Sequence, residues 1–309
     1  MKRLALAAAV ALTLASSTQA APSAVPAHVY APYFETWKKG SLTAAAQQTG
    51  ARYFTLAFLE ALSKTSCTLA WNGRKRDRVT NNRYLADLTS LRALGGDVFL
   101  SFGGGSADRR GTEIADSCKS VKAIAAAYED VITRYGVTRL DMDVEGASLH
   151  RSRGIDRRNK ALGLVESWAA AQQRPLQVCY TLPTTPFGLA PSGLAALQNA
   201  VVNGTRVDVV NLMAFDYYDR ATTDMGTAAM NAADGTAAQL EEIGLNARIG
   251  ITLMPGVDDY PKKTEKTTLA HARHVFAYAQ ANDIDTLSIW AIQRDKGGGF
   301  TQVLQPFTG

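Results

Sequence analysis

The sequence predicts one α/β domain, a closed (β/α)8 TIM barrel, and three observations support this fold. Eight short apolar runs, rich in β-branched or aromatic residues, recur along the 309 residues. Helical stretches lie between most of these runs, and no linker rich in Pro, Gly or Ser divides the chain. Strands that are buried on both faces and separated by helices form parallel sheets, and eight such units close into a barrel. An open, doubly wound sheet is the alternative fold.

Each predicted element has its own signal in the sequence. The strands are apolar runs bounded by polar or turn-forming residues, and they cover residues 28–34, 52–59, 97–102, 137–144, 176–182, 207–214, 249–254 and 286–291. The predicted helices span residues 41–48, 81–94, 120–135, 157–173, 193–203 and 267–282. Gly50, Gly95, Gly136 and Gly204 end four of these helices, because glycine adopts the left-handed conformation that closes a helix, and Pro175 follows a fifth.

The first twenty residues are typical of a secretory signal rather than of a folded element. Lys2 and Arg3 form a charged start, residues 4–14 form an apolar centre, and small residues end at Ala20. The apolar run is too short for a membrane anchor, which needs about 20 apolar residues. We therefore predict cleavage between Ala20 and Ala21 and a secreted protein, extracellular or, in a host with an outer membrane, periplasmic.

The mature domain, residues 21–309, carries little net charge. Loss of the two basic residues of the signal lowers the formal net charge from +5 to +3. The densest basic runs, at 74–76 and 151–158, lie in loop-like surroundings and are typical of solvated surface. We therefore expect no nucleic-acid partner, no membrane partner, and a monomer.

Export into an oxidising compartment allows cysteines to pair. Cys67 and Cys118 fall in loop-like segments after strands, whereas Cys179 lies within an apolar run. We predict a Cys67–Cys118 disulfide and a buried free thiol at Cys179, although spacing alone leaves other pairings open. His271 and His274 are three residues apart on a predicted helix, and we interpret them as a surface pair rather than a zinc site.

Three carboxylates alternate with apolar residues at the end of the fourth predicted strand. In the run from Leu140 to Gly146 the acids are Asp141, Asp143 and Glu145. Because side chains on a strand alternate between faces, the three acids share one face. Buried carboxylates are costly unless they are paired or protonated. Active sites of such barrels lie at the carboxyl ends of the strands, so this motif predicts a catalytic centre.

Other predicted strands end in groups that suit a sugar site. Ser101 precedes three glycines and can donate a hydrogen bond to an acid of the fourth strand. These glycines are not followed by the Lys-Ser or Lys-Thr of a phosphate-binding loop. The sixth strand brings Met213, Asp216 and Tyr217 to the same rim. Trp290 ends the eighth strand and offers a flat platform for a sugar ring.

Taken in order, these motifs resemble those of glycoside hydrolase family 18, the chitinase family. The motifs that carry the resemblance are Ser101-Phe102-Gly103-Gly104, Asp141-Met142-Asp143-Val144-Glu145, Met213-Ala214-Phe215-Asp216-Tyr217 and Trp290. The resemblance covers nearly the whole mature chain. Residues 251–259 and 290–295 look especially like the short, single-domain bacterial branch.

Two departures from the family pattern stand out. Thr138 and Arg139 replace the Asp-Gly that the longer pattern has ahead of the first acid. We expect this change to affect the tuning of the acids rather than to abolish activity. Residues 255–285 leave no room for the α+β insertion module of larger members, so we expect a shallower cleft.

The resemblance implies a retaining, substrate-assisted hydrolysis of β-1,4 linkages between N-acetylglucosamine units of chitin or chitooligosaccharides. Glu145 would donate the proton, Asp143 would orient the substrate's acetamido group, and Asp141 would support Asp143. Tyr217, aided by Asp216, would hydrogen-bond the acetamido group. The candidate substrate-binding residues are Tyr33, Ser101, Met213, Asp216, Tyr217 and Trp290. The resemblance implies no metal and no organic cofactor.

Three alternatives share parts of this pattern. An endo-β-N-acetylglucosaminidase that acts on N-glycans has the same fold and acids. A non-catalytic chitin-binding lectin is expected to lack the terminal acid, which is present here as Glu145. Clustered carboxylates also suit a divalent cation. Whether chain ends or internal bonds are cut stays open, because it depends on the shapes of loops.

Overall fold

A computed structural model describes residues 25–259 and 264–309. The predicted secretory signal and its cleavage site lie outside the described residues. None of the described helices is long and apolar enough to cross a bilayer.

The strands and helices of the described chain alternate through most of its length. The strands are β1 (Val29–Tyr30), β2 (Tyr33–Glu35), β3 (Tyr53–Ala61), β4 (Leu69–Trp71), β5 (Asp97–Gly103), β6 (Arg139–Asp143), β7 (Gln177–Thr185), β8 (Gly188–Leu189), β9 (Val209–Met213), β10 (Arg248–Leu253), β11 (Gly256–Val257), β12 (Lys266–Thr267) and β13 (Thr286–Ile289). The α-helices are α1 (Leu42–Thr49), α2 (Leu85–Ala93), α3 (Gly104–Arg110), α4 (Ile114–Ser117), α5 (Val121–Tyr135), α6 (Ser152–Ala171), α7 (Pro191–Val202), α8 (Met225–Glu242), α9 (Leu269–Ala281) and α10 (Gly299–Leu304).

The main sheet is a parallel barrel with the strand order β1-β13-β10-β9-β7-β6-β5-β3-β2. Its two terminal members, β1 and β2, are halves of one chain segment that changes partner at Ala31 and Pro32. The N–H of Ala31 donates to Leu287 O of β13 at 2.9 Å, and the N–H of Thr55 in β3 donates to Pro32 O at 3.0 Å. The first strand position therefore closes the sheet on itself, as predicted for the (β/α)8 fold, and the open-sheet alternative is wrong.

The predicted strands and helices are largely confirmed. The short elements β4, β8, β11, β12, α3, α4 and α10 were not predicted, and three further differences concern the longer elements. The first predicted strand is divided by Pro32, which has no N–H to donate to a neighbour. Helix α6 begins at Ser152, five residues before the predicted start. Helix α8 was not predicted, because its sequence is rich in alanine and shows no clear apolar stripe. Its start is marked by Asp224, whose side chain accepts from the N–H groups of Gly226 and Thr227.

The apolar core lies between the barrel and the surrounding helices, and the barrel interior is more polar. On β6, Leu140 and Met142 belong to this core, whereas Asp141 and Asp143 do not. The predicted Cys67–Cys118 disulfide is confirmed, and it joins the segment before β4 to the end of α4. Cys179 is a buried free thiol, also as predicted.

The connection from β10 to α9 carries little structure among its described residues. It contains one antiparallel ribbon, in which β11 pairs with β12. No additional α+β module lies in the described part of this connection, in agreement with the expected short branch.

Candidate active site

A cavity of about 530 Å³ opens at the carboxyl ends of the barrel strands. Residues from most strand positions line it: Tyr33, Trp37, Phe58, Glu60, Asn72, Arg74, Gly105, Ser106, Arg109, Arg110, Asp143, Glu145, Thr181, Met213, Phe215, Asp216, Tyr218, Thr252, Met254, Asp259 and Trp290. Loops at this end of a barrel are free to vary while the strands hold them in place. The cavity is thus where catalytic groups are expected.

The pairing of β6 sets the level of each acid in the barrel. Asp141 lies beside Ser101 of β5 and Cys179 of β7. Asp143 lies one step nearer the cavity, beside Gly103 and Thr181. Glu145 follows the last residue of the strand and reaches the rim. The acids therefore form a column from the barrel interior to the cavity, as their alternation predicted.

Asp141 is the buried base of this column. One of its oxygens, Oδ2, accepts hydrogen bonds from Tyr33 Oη at 2.9 Å and from Ser101 Oγ at 2.6 Å. Its Oδ1 accepts from Thr181 Oγ1 at 2.6 Å. Burial raises the pKa of Asp141, and the three hydroxyl donors oppose that rise by stabilising the carboxylate. Asp141 and Ser101 do not line the cavity, so both lie beneath the residues that a substrate would meet.

Asp143 and Glu145 form a hydrogen-bonded carboxyl pair at the cavity floor. Burial raises the pKa of Asp143 well above its usual range, and the nearby charges of Glu145 and Asp141 add to the rise. Burial also raises the pKa of Glu145, while hydrogen bonds from Asp143 and from the Gly105 N–H oppose it. Because the charge of Glu145 disfavours ionisation of Asp143, the pair retains a proton to higher pH than an isolated acid does.

The glycines that follow β5 allow the backbone to approach these acids. Gly103 has a φ of 103°, and a Cβ atom there would lie 2.2 Å from the carbonyl oxygen of Asp143. Only glycine fits such a position. A Cβ atom on Gly105 would lie 3.2 Å from Glu145 Oε2. The glycine run therefore permits the contact between the start of α3 and the acid pair.

Asp143 has one carboxyl oxygen that the protein does not satisfy. Its Oδ1 is buried and has no hydrogen-bond partner among the described residues. Buried polar atoms nearly always have a partner, either in the protein or in a bound molecule or water. Asp143 lines the cavity, so its carboxyl group is within reach of a donor group of a ligand.

Four aromatic side chains build one wall of the cavity around Trp290. The Trp290 ring stacks on Phe58, with centroids 5.4 Å apart, and meets Tyr33 edge-on at 5.4 Å. Trp37 lies 6.1 Å from Trp290 and stacks on Phe58 at 6.1 Å. Aromatic faces of this kind suit the apolar faces of sugar rings. The structure thus places the predicted Trp290 platform within a larger aromatic cluster.

The wall formed after β9 agrees only in part with the candidate residues. Met213 and Asp216 line the cavity as expected, and so does Tyr218. Tyr217 is not among the lining residues, and its hydroxyl is buried close to Thr184. In this conformation Tyr217 is therefore one layer behind the surface that a substrate would contact.

The pKa of Asp216 is also raised, but by a different set of neighbouring charges from those that act on the acids of β6. Its side chain is half-buried, and its N–H donates to Asp258 Oδ2 at 3.0 Å. Burial, followed by the charges of Asp258 and Asp259, raises the pKa of Asp216 to about 7. The cavity therefore holds a second carboxyl that changes its charge near neutral pH.

The interior of the barrel contains three polar residues that the sequence analysis did not single out, Asn211, Thr181 and Thr252. Asn211 Nδ2 donates to Thr181 Oγ1 at 3.0 Å, and Asn211 Oδ1 accepts from Thr252 Oγ1 at 3.0 Å. Thr181 also makes a hydrogen bond with Tyr33 Oη at 2.9 Å. Strand alternation could have found these residues, because they point inward at the level of the acids.

A basic wall, Arg74, Arg109 and Arg110, was also missed. Arg110 Nη2 lies 2.6 Å from both carboxyl oxygens of Glu60, which is buried at the end of β3. Thr112 Oγ1 donates to the same carboxyl at 2.8 Å. Arg109 and Arg110 end α3, and no motif in the sequence marked them. Arg74 belongs to the basic run 74–76, which was interpreted as solvated surface, but the structure places Arg74 at the cavity.

The described residues contain no group of three or more His, Cys, Asp and Glu side chains arranged to hold a metal ion. In this part of the chain three hydroxyl groups donate to Asp141, and Asp143 and Glu145 form a carboxyl pair.

Comparison with known sequences identifies a family for this architecture. The sequence profile of glycosyl hydrolases family 18 matches residues 29–280. The chain is 32% identical over 291 residues to a probable bifunctional chitinase/lysozyme of Escherichia coli strain K12, covering 89% of this chain and 32% of that protein. It is 31% identical over 294 residues to endochitinase 11 of Metarhizium anisopliae, covering 89% of this chain and 54% of that protein. The chain thus spans about a third and about half of the lengths of these relatives.

Solved structures give the same result for the fold. The catalytic domain of a hyperthermophilic chitinase from Pyrococcus furiosus superimposes with a TM-score of 0.77 at 27% identity, covering 92% of this chain and 96% of that one. A family 18 chitinase from Pseudoalteromonas aurantia superimposes with a TM-score of 0.62 at 13% identity, covering 90% of this chain and 99% of that one, which supports the fold alone.

Proposed function

The chain belongs to family 18 of the glycosyl hydrolases, and from this premise we propose that it hydrolyses β-1,4 linkages between N-acetylglucosamine units of chitin or chitooligosaccharides. The cavity supports this proposal because it combines a protonated carboxyl pair with an aromatic wall for sugar rings.

The unsatisfied Asp143 Oδ1 is the observation that carries the proposal. An N-acetyl sugar brings an amide N–H, which is the kind of donor that this oxygen lacks. A hydrogen bond from that N–H would turn the acetamido oxygen toward the anomeric carbon. A sugar without the acetamido group would leave the oxygen buried and unpaired, at a cost of about 1–3 kcal/mol.

The residues then divide the reaction as follows. Glu145 transfers its proton to the glycosidic oxygen while the acetamido oxygen attacks the anomeric carbon, and the bond to the leaving sugar breaks. Asp143 stabilises the positive charge that develops on the cyclised acetamido group, and Asp141 holds Asp143 in place from below. Water then attacks the anomeric carbon, the bond from that carbon to the acetamido oxygen breaks, and Glu145 accepts a proton from the water, so two displacements retain the anomeric configuration.

Product analysis with chitohexaose tests this proposal. Glu145→Gln should lower the rate by at least about 10²-fold, since it cannot donate the proton. The matched control is Glu166→Gln, because Glu166 is a half-buried acid with a raised pKa that does not line the cavity. Wild-type protein should leave cellohexaose uncut and should release the β-anomer first. Full activity of Glu145→Gln, cleavage of cellohexaose, or initial release of the α-anomer would contradict the proposal.

The basic wall favours peptidoglycan as a second candidate substrate. N-acetylmuramic acid carries both an acetamido group and a carboxylate, and the exposed guanidinium groups of Arg74 and Arg109 can pair with that carboxylate. One relative is itself a probable chitinase/lysozyme. Release of reducing sugar from purified peptidoglycan tests this candidate, and a lack of release beside active chitin hydrolysis would remove it. Glycan release from a glycoprotein would instead indicate an endo-β-N-acetylglucosaminidase.

We also propose that the protein is exported. The Cys67–Cys118 disulfide supports this, because such bonds persist in oxidising compartments. Mass spectrometry of the protein recovered from the medium or periplasm should give Ala21 as the first residue. Retention of the full N-terminus inside the cell would contradict export.

A further inference from the structure

The loop between β9 and α8 is held by its backbone rather than by its side chains. Three successive N–H groups, those of Asp216, Tyr217 and Tyr218, donate to carboxyl oxygens from another part of the chain. The Tyr217 N–H donates to Glu265 Oε2 at 2.7 Å, and the Tyr218 N–H donates to Glu265 Oε1 at 2.9 Å. The Asp216 N–H donates to Asp258 Oδ2 at 3.0 Å.

This loop adopts a backbone conformation that needs such support. The φ angles of Asp216 and Tyr218 are 51° and 58°, in the left-handed region, whereas Tyr217 does not have a positive φ. Residues other than glycine lose about 1–2 kcal/mol in the left-handed region. Alternation of this kind turns successive N–H groups toward one side, where they can bind an anion. Glu265 supplies that anion, and it does so with both oxygens.

Glu265 itself lies beside the loop but outside the cavity. It is completely buried, and it does not line the cavity. Its carboxyl also hydrogen-bonds to Asp258. Asp258 directly follows β11, and Glu265 directly precedes β12. The two acids therefore support the wall of the cavity through the backbone of residues 216–218, and the charge of Asp258 also raises the pKa of Asp216.

The loop delivers two groups to the cavity. Asp216 and Tyr218 line it, while Tyr217 between them points into the protein. Displacement of the loop would move both lining groups together. Misplacement of about 1 Å in a catalytic arrangement can cost roughly 10²-fold in rate.

We propose that Glu265 is a positioning residue for the hydrolysis, because its carboxyl holds the backbone that presents Asp216 and Tyr218 to the substrate. The expected change in the rate of hydrolysis rests on the proposed function, whereas the support of the loop backbone by Glu265 does not. The carboxyl group suits this role because each of its two oxygens accepts from one of two adjacent N–H groups.

Two variants and one control test this role. Glu265→Ala removes both acceptor oxygens, and Glu265→Gln keeps one oxygen for the loop and an NH₂ group that can donate to Asp258. The matched control is Asp87→Ala, because Asp87 also binds two adjacent N–H groups, those of Leu42 and Thr43, and does not line the catalytic cavity.

Steady-state kinetics on chitohexaose should separate positioning from general stability. For Glu265→Ala we expect kcat/KM to fall by about 10²-fold, mostly through kcat, with a smaller fall for Glu265→Gln. Asp87→Ala should lower the unfolding midpoint but leave kcat and KM unchanged. Wild-type kcat and KM in Glu265→Gln, or an equal kinetic loss in Asp87→Ala, would overturn the proposal. If Glu265→Ala does not fold, the kinetics of Glu265→Gln alone test the proposal.

Amide hydrogen exchange tests the structural part without any activity. The amides of residues 216–218 should be protected in wild-type protein and should exchange at least about tenfold faster in Glu265→Gln. Unchanged protection would overturn the role of Glu265 even if the enzyme is active. Absence of hydrolysis by wild-type protein, with the expected exchange, would instead contradict the proposed function alone.

Discussion

Asp143 and Glu145 hydrogen-bond to each other through their carboxyl groups, although only one residue separates them at the end of β6. Strand alternation explains why they face the same way, and the glycine run after β5 explains why a neighbouring backbone can approach them. The pair therefore behaves as a unit in which the charge of one acid controls the proton of the other.

The first prediction follows from this coupling. In Glu145→Gln the pKa of Asp143 should fall, because the negative charge that helps to keep Asp143 protonated is removed. Carbon-13 NMR of the Asp carboxyl groups as a function of pH measures this change. Glu166→Gln should leave the Asp143 titration as in wild type. An unchanged Asp143 pKa in Glu145→Gln would mean that the two acids do not share a proton.

The second prediction concerns the hydroxyl groups beneath the pair. Thr181→Val removes a hydroxyl that contacts Tyr33, Asp141 and Asn211, so we expect a loss of about 1–3 kcal/mol in the free energy of unfolding, together with lower activity. Denaturant unfolding measures the loss. The control is Thr236→Val, because the Thr236 hydroxyl is fully buried and has no hydrogen-bond partner among the described residues. Equal losses in the two variants would show that the Thr181 hydrogen bonds contribute nothing specific.

The third prediction concerns Asp216 and pH. Its pKa rises from 3.8 to about 7 on folding, so the folded state binds the proton more tightly and becomes less stable as the pH rises through this range. Asp216→Asn should therefore be more stable than wild type at pH 8 and should lose this advantage near pH 4. We expect Asp216→Asn to raise the free energy of unfolding at pH 8 by about 1–2 kcal/mol. This is below the roughly 4 kcal/mol that the full pKa shift corresponds to, because water screens a half-buried group.

Thermal unfolding at both pH values measures the Asp216 effect, and Asp219 provides the control. The Asp219 carboxyl is exposed, and hydrogen bonds from Thr222 and Ala221 outweigh the effect of partial burial and lower its pKa. A group whose pKa is lowered on folding stabilises the folded state at pH values above its unfolded pKa, and this stabilisation is lost as the pH falls. Asp219→Asn should therefore give no gain at pH 8. A gain in Asp219→Asn equal to that of Asp216→Asn would contradict the assignment.

The fourth prediction concerns the disulfide. Cys67 and Cys118 are 51 residues apart, so their bond restricts a long loop of the unfolded chain. Replacing both cysteines by alanine should lower the free energy of unfolding by about 2–4 kcal/mol. Reductant should destabilise wild-type protein and Cys179→Ala alike and should leave the double variant unchanged. A stability of wild-type protein that does not respond to complete reduction would contradict this account.

Much of the fold could be predicted because it depends on periodicity. Apolar runs of the right length and glycines at helix ends marked most strands and helices, and the alternation in residues 140–146 placed the acids on one face. Helix α8 escaped because alanine-rich helices pack through small side chains and leave little amphipathic pattern. The division of the first strand at Pro32 was not predicted because it depends on which strand each half pairs with, and this pairing is a property of the closed barrel.

The candidate site was predictable to the extent that it lies on strands. Asp143, Met213 and Trp290 end strands or follow them directly, and each lines the cavity. Tyr217 adjoins a lining residue in sequence but points away, because the loop that carries it leaves the alternation of a strand. Glu265 carried no sequence signal, since its role appears only when a distant loop folds against it.

The division of the first strand links assembly of the barrel to assembly of the catalytic centre. β1 can be completed only by β13, whose residues are synthesised last among the strands, and β2 carries Tyr33, which donates to Asp141 across 108 residues of sequence. Such long-range pairing is slow compared with local contacts. A nascent chain therefore cannot close the barrel, or place Trp290 in the wall of the cavity, until the C-terminal strand has emerged. Return of activity during refolding should consequently report closure of the barrel, and not merely formation of its helices.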